Sequence, residues 1–156
     1  MHVIKAAQLA RRKMDDNNLM HWTFKMNGRL KRTFGICRYN VCTIELSRDY
    51  VEANDEATVL DTILHEIAHA LTPGAFHGRD WQAMCRILGC KPEQYVNPKN
   101  IKINYKWQMA LTLPCGNLER LQIFGHKKTN LVRRSLKFRP ETYNRLSWLP
   151  TLEAGV

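Results

Sequence analysis

Between residues 3 and 16, Val3, Ala7, Ala10 and Met14 fall on one stripe with Lys5, Gln8, Arg11, Arg12 and Asp15 between them. That period predicts an amphipathic helix ending near Asn17-Asn18. The pattern then changes to three short runs, HWTFKMN, TFGIC and VCTIEL, rich in aromatic and β-branched residues. Turn signals at Asn27-Gly28 and Arg38-Tyr39-Asn40 separate them, so they read as three strands, expected as a meander. Next, Leu60, Ile63, Leu64, Ile67 and Leu71 recur at steps of three and four and predict a helix over residues 55–71. Asn54 or Asp55 can cap it, and Thr72-Pro73-Gly74 ends it.

A further helix is predicted from about Gly78 to Leu88, with Trp81, Met84, Cys85 and Leu88 on its apolar stripe. Gly89, Pro92 and Asn97-Pro98 mark its exit. Beyond residue 100 the periodicity turns strand-like in INYKWQMALTL, LERLQIF, LVRRSLKF and YNRLSWL, broken at Pro114-Cys115-Gly116 and Gly125. These runs predict an α+β chain in two parts: a main domain over residues 1–98 and a small β appendage over residues 99–156.

At 156 residues and 44% hydrophobic, the chain can bury one sizeable core and not two. No run of eighteen apolar residues occurs, and the first residues lack the apolar block and cleavage site of a secretory signal, so a cytoplasmic, membrane-free location is expected. Five cysteines without a C-x-x-C pair argue against a disulfide framework and fit a reducing compartment. The net charge of +10 is uneven: from Lys99 to Arg145 there are eleven Lys/Arg against Glu119 and Glu141. A stretch so basic attracts polyanions, nucleic acid foremost.

Half of the six histidines fall within HEIAHALTPGAFHGRDW, His65 to Trp81. On a helix, His65 and His69 lie one turn apart on one face, where two imidazoles can bind a single Zn²⁺. His77, beyond the Pro73-Gly74 break, is the natural third ligand. Glu66 sits where a carboxylate reaches a zinc-bound water as its general base. Ligating histidines usually give their second N–H to a carboxylate, and Asp61 and Asp80 are the candidates, each of which could instead be a solvated or helix-dipole acid.

These residues resemble the SprT-like family of zinc metalloproteases, which includes the Spartan-type proteases of DNA–protein crosslinks. The resemblance runs from about Trp22 to Gly89 and comprises HWTF, TFGIC, IELSRDYV, ILHEIAHAL and HGRDW in that order. The metzincin pattern fails, with Thr72 and Ala75 at its later Gly and His positions. The resemblance implies a compact zincin-like fold, one catalytic Zn²⁺ on His65, His69 and His77, Glu66 as catalytic acid/base, hydrolysis of peptide bonds in a protein substrate, and DNA as platform or activator.

The chain departs from that family where many members carry a cysteine-rich zinc ribbon. TLPCG has Thr112 where a first cysteine might stand, and no cysteine follows Cys115. The appendage is therefore expected to be ribbon-like but metal-free, held by Trp107, Leu121, Phe124 and Trp148. Its Lys127, Lys128, Arg133, Arg134 and Lys137 are candidate phosphate contacts, while most of its aromatics are expected in its core. Two other functions stand beside the protease: a non-proteolytic DNA- or partner-binding protein that retains the zinc site, and an adaptor that sequesters a partner.

Overall fold

In the computed structural model, residues 1–94 and 105–151 are described. They form helices and two small three-stranded sheets in two compact units, Met1–Asn104 and Tyr105–Val156. The sequence-based boundary at residue 98 and the Asn97-Pro98 exit lie outside the described residues. No helix among the described residues is long and apolar enough to cross a membrane.

Unit 1 begins with α1 (Val3–Asp16), which buries Ala6, Leu9, Ala10 and Met14. The stripe is turned slightly from the expected one, towards Ala6 and Leu9. Strands β1 (Thr23–Asn27), β2 (Gly35–Arg38) and β3 (Thr43–Ser47) follow. They are not a meander. The order is β1-β3-β2, with β1 parallel to β3 and β2 antiparallel to it. The reason is visible in β3, whose five residues are all buried: the most apolar-flanked strand takes the centre, and residues 28–34 carry the chain past it. β2 is left on an edge.

Glu45 ties the sheet together on one face. Its carboxylate accepts Asn27 Nδ2–H from β1 at 2.6 Å and Arg38 Nε–H from β2 at 2.8 Å. These bonds, the Asn27 contact first, hold its pKa below the usual value against partial burial.

A short helix that sequence periodicity did not separate, α2 (Arg48–Ala53), follows β3 directly, with Ser47 as its N-cap. Helix α3 (Glu56–Leu71) is capped by Asp55, whose carboxylate accepts Thr58 N–H at 2.8 Å. It packs against α1, β2, β3 and α4 (Arg79–Leu88), so it is buried beyond its expected stripe: Val59, Thr62, Glu66, Ala68 and Ala70 are covered along with Ile63, Leu64 and Ile67. α4 runs from Gly78 to a left-handed Gly89, φ 80°, burying Trp81 and Cys85. One apolar cluster joins all four helices and the sheet.

Unit 2 is an antiparallel sheet, β5-β4-β6, built from β4 (Trp107–Thr112), β5 (Leu118–Gly125) and β6 (Leu146–Pro150). LVRRSLKF is not a strand: positive φ at Arg133 and Phe138 breaks it into turns, leaving one isolated bridge between Leu136 and Arg139. The core is Met109, Leu111 and Leu121, with Leu131, Leu136, Leu146 and Trp148 against it. Leu121 and Trp148 serve as expected, whereas Phe124 is exposed and Trp107 is half-buried beneath Lys128.

Because the folded state favours the ionised Glu45, its contribution is present above the unfolded carboxyl pKa and is lost as pH falls through the lower folded value. Glu45→Gln is therefore expected to be less stable than the wild type at pH 7. The gap should close as urea midpoints are followed down to pH 3, and a gap independent of pH would refute this role.

Candidate metal centre

Two elements supply the histidines. His65 and His69 project from successive turns of α3, and His77 comes from the loop that turns back after it. Their ligand nitrogens all lie within 4.8 Å of one another, and among the described residues no other His/Cys/Asp/Glu cluster has this property. His69 Nε2 and His77 Nε2 are 3.1 Å apart. Two ligands of one tetrahedral zinc, at 2.0–2.1 Å each, stand about 3.3 Å apart, so this hydrogen-bonding distance is also close to that of co-ligands.

The protonation states suit a cation. Burial, then the neighbouring His69 and His77 charges, pushes His65 down to about 4. Burial and His77 push His69 down to about 4, and burial lowers His77. Neutral imidazoles are what a metal requires. Three nitrogen donors of this kind fit Zn²⁺.

Trp81, fully buried on α4, packs against all three rings, with centroids 4.7, 5.2 and 4.6 Å from His65, His69 and His77. It lies nearly parallel to His69 and edge-on to the other two. Its ring is the shared wall that fans the imidazoles about one point. Asp80, beside it, is exposed in the first turn of α4. Asp61 accepts Lys91 N–H at 3.0 Å, tying the segment after α4 to α3. Among the described residues neither acid is hydrogen-bonded to a histidine ring, whereas Trp81 packs against all three.

Glu66 is 6% exposed, and desolvation alone pushes its carboxyl up to about 8. No donor among the described residues is hydrogen-bonded to it. A cation held by the histidines would offset that desolvation by favouring the carboxylate. The carboxylate occupies the space left by Gly35 of β2. A Cβ there would meet Glu66 Oε1 at 2.7 Å, Glu66 Cγ at 2.8 Å and Leu46 Cδ2 at 2.9 Å. Cys37, two residues along on the same face, has its thiol pushed up to about 12 by burial and the Glu66 charge. Tyr39, at the end of β2, donates its hydroxyl to His69 O at 2.8 Å.

A cavity of about 710 Å³ opens over these groups, lined on one side by residues 32–37 and Tyr39 and on the other by His65, Glu66, His69, Phe76 and His77. Sequence reasoning found the helix side of this cavity. It missed the strand side: Gly35 was read only as a glycine within a strand, and Tyr39 as part of a turn signal.

In unit 2, Lys127, Lys128, Arg133, Arg134 and Lys137 are all exposed, and none is ion-paired among the described residues. Lys128 lies 4.0 Å over the Trp107 ring and Lys137 5.0 Å from that of Phe138. The aromatics are less buried than expected: Phe124, Phe138 and Tyr143 are exposed, and Phe124 stacks on Tyr105 with centroids 5.6 Å apart. A three-stranded sheet this small has a core filled mainly by leucines and methionine, with Trp148 against it and most of the other rings outside. Cys115 is exposed in the β4–β5 turn.

Gly35→Ala is expected to push the Glu66 carboxylate aside and to cost on the order of 1–3 kcal/mol, as overpacking does. Zinc binding, measured by chelator competition, should persist because the histidines are untouched. Unchanged stability would show that the close fit is not a constraint.

The SprT-like family model matches residues 4–104. Among solved structures, the metallopeptidase zymogen jannalysin of Methanocaldococcus jannaschii is similar, with 18% identity, a TM-score of 0.47, and coverage of 61% of this chain and 85% of that one. At that level the likeness carries no inference about chemistry. No curated protein matches the chain significantly.

Proposed function

The chain belongs to the SprT-like family, and on that premise we propose that it is a zinc-dependent endopeptidase acting on proteins associated with DNA. The observation that carries the first half is Glu66: a buried carboxylate without a protein partner among the described residues, beside three histidines whose nitrogens lie within 4.8 Å of one another. Isolated buried charge is costly and is retained where chemistry uses it.

His65, His69 and His77 would hold the metal, and bound zinc supplies a Lewis acid and lowers the pKa of water. Glu66 takes a proton from the attacking water and returns it to the departing amine. Gly35 leaves the space in which the carboxylate sits. Trp81 holds the ligand rings and Tyr39 anchors the backbone of His69 to the strand side.

β2 is an edge strand whose residues line the cavity, so an extended peptide can pair with it and lie across the histidines. That mode supports a polypeptide substrate recognised mainly through its backbone. Glu66→Gln is expected to bind zinc as tightly as the wild type and to lose at least a thousandfold in cleavage of an unfolded protein, whereas His69→Ala loses the zinc. Cleavage by Glu66→Gln at the wild-type rate would overturn this mechanism, and absence of cleavage by the wild type, with or without single-stranded DNA, would favour the second reading, a binding protein that keeps its metal site.

The DNA half rests on unit 2, where cations without an ion pair among the described residues stand near partly or fully exposed rings, a combination suited to phosphate contact and base stacking. Replacing Lys127, Lys128, Arg133 and Arg134 by Glu should abolish DNA binding, and the wild type's affinity should fall linearly with the logarithm of salt concentration. Salt-independent binding, or none, would remove DNA from the proposal.

A further inference from the structure

The loop that delivers the third histidine carries a residue unsuited to its backbone. Ala75 O accepts Gly78 N–H at 2.9 Å, closing a turn whose central residues are Phe76 and His77. Phe76 takes φ 49° while His77 does not share the positive φ. A turn with positive φ at its first central position favours glycine, or asparagine and aspartate, and a bulky side chain there is strained. Packing does not repay that strain, because Phe76 is 80% exposed.

The loop is nonetheless firmly placed. Thr72 N–H is bonded within α3, Ala75 N–H to Thr72 O at 3.1 Å, and Gln82 Nε2–H to His77 O at 3.1 Å. Phe76 is thus presented into solvent by a pinned backbone, immediately before a metal ligand, and it lines the cavity opposite Phe34, Ile36 and Cys37. A strained conformation combined with an exposed aromatic at the mouth of a site points to a contact made only when the site is filled.

We propose that Phe76 forms one wall of a subsite for a large apolar side chain of the substrate, so that cleavage is favoured beside residues such as Leu, Phe or Met. This rests on the protease reading. An extended peptide paired with β2 would project alternate side chains towards the loop, and the apolar one nearest the metal would be covered by the Phe76 ring. The subsite adds selectivity to a substrate otherwise held by its backbone.

The test has two arms. Wild type, Phe76→Gly and Phe76→Ser digest an unfolded protein of mixed composition, and the cut sites are read by mass spectrometry. Wild type should concentrate its cuts beside large apolar residues, and both variants should flatten that preference about tenfold, through KM more than kcat. Phe76→Gly should also raise the thermal midpoint, since glycine relieves the strained φ. In the second arm, zinc-loaded Glu66→Gln binds two fluorescein-labelled peptides that differ only in a central Leu or Asn, followed by anisotropy. The Leu peptide should bind about tenfold more tightly, and adding Phe76→Ser should erase the difference.

An unchanged cut-site preference in both variants, or equal binding of the two peptides by Glu66→Gln, overturns the subsite. Absence of any cleavage by wild type with the binding difference intact refutes the protease reading and upholds the subsite.

Discussion

A largely buried carboxylate that has no protein donor among the described residues and faces only the cavity is the constraint on which unit 1 depends. Glu66 is affordable only if a cation stands beside it or its proton stays on, and the three neutral histidines around it are arranged for the former. Much of the unit can be understood as enclosing that group. α3 lies at the centre of the helices so that the Glu66 side is covered, β2 brings a glycine to the one position where a methyl group would collide with it, and Trp81 closes the opposite side against the ligand rings.

The same enclosure explains the asymmetry of the cavity. Its helix side is chemical and rigid, held by α3 and by a buried indole. Its strand side is formed by the edge strand β2 and the residues flanking it. The loop between α3 and α4 belongs to neither side: hydrogen bonds fix its path while its most apolar residue is left in solvent. Stability and selectivity are therefore assigned to different residues, which allows Phe76 to be exchanged without disturbing His77's neighbours on α4.

Unit 2 solves a smaller problem by different means. A three-stranded sheet cannot bury many rings, so Met109, Leu111 and Leu121 make its core, and Tyr105, Phe124 and Phe138 remain accessible beside lysines. The expectation that aromatics would be consumed by the core assumed more interior than so short a chain segment can enclose.

Local periodicity determined most of what is local. Helices α1, α3 and α4 and strands β1 to β3 are written in apolar spacing and turn residues, and the four-residue interval between His65 and His69 fixes their common face whatever the rest of the chain does. Short α2 was hidden because six residues are too few for a period, and LVRRSLKF misled because alternation is blind to φ. Only tertiary structure decided which strands pair, since a buried central β3 is a property of what packs on it. It also decided that Gly35 makes room for Glu66, that Trp81 packs against all three imidazoles, and that Phe76 faces the cavity. Each of those depends on atoms distant in sequence meeting within a few ångströms, and one-dimensional spacing carries no such distances.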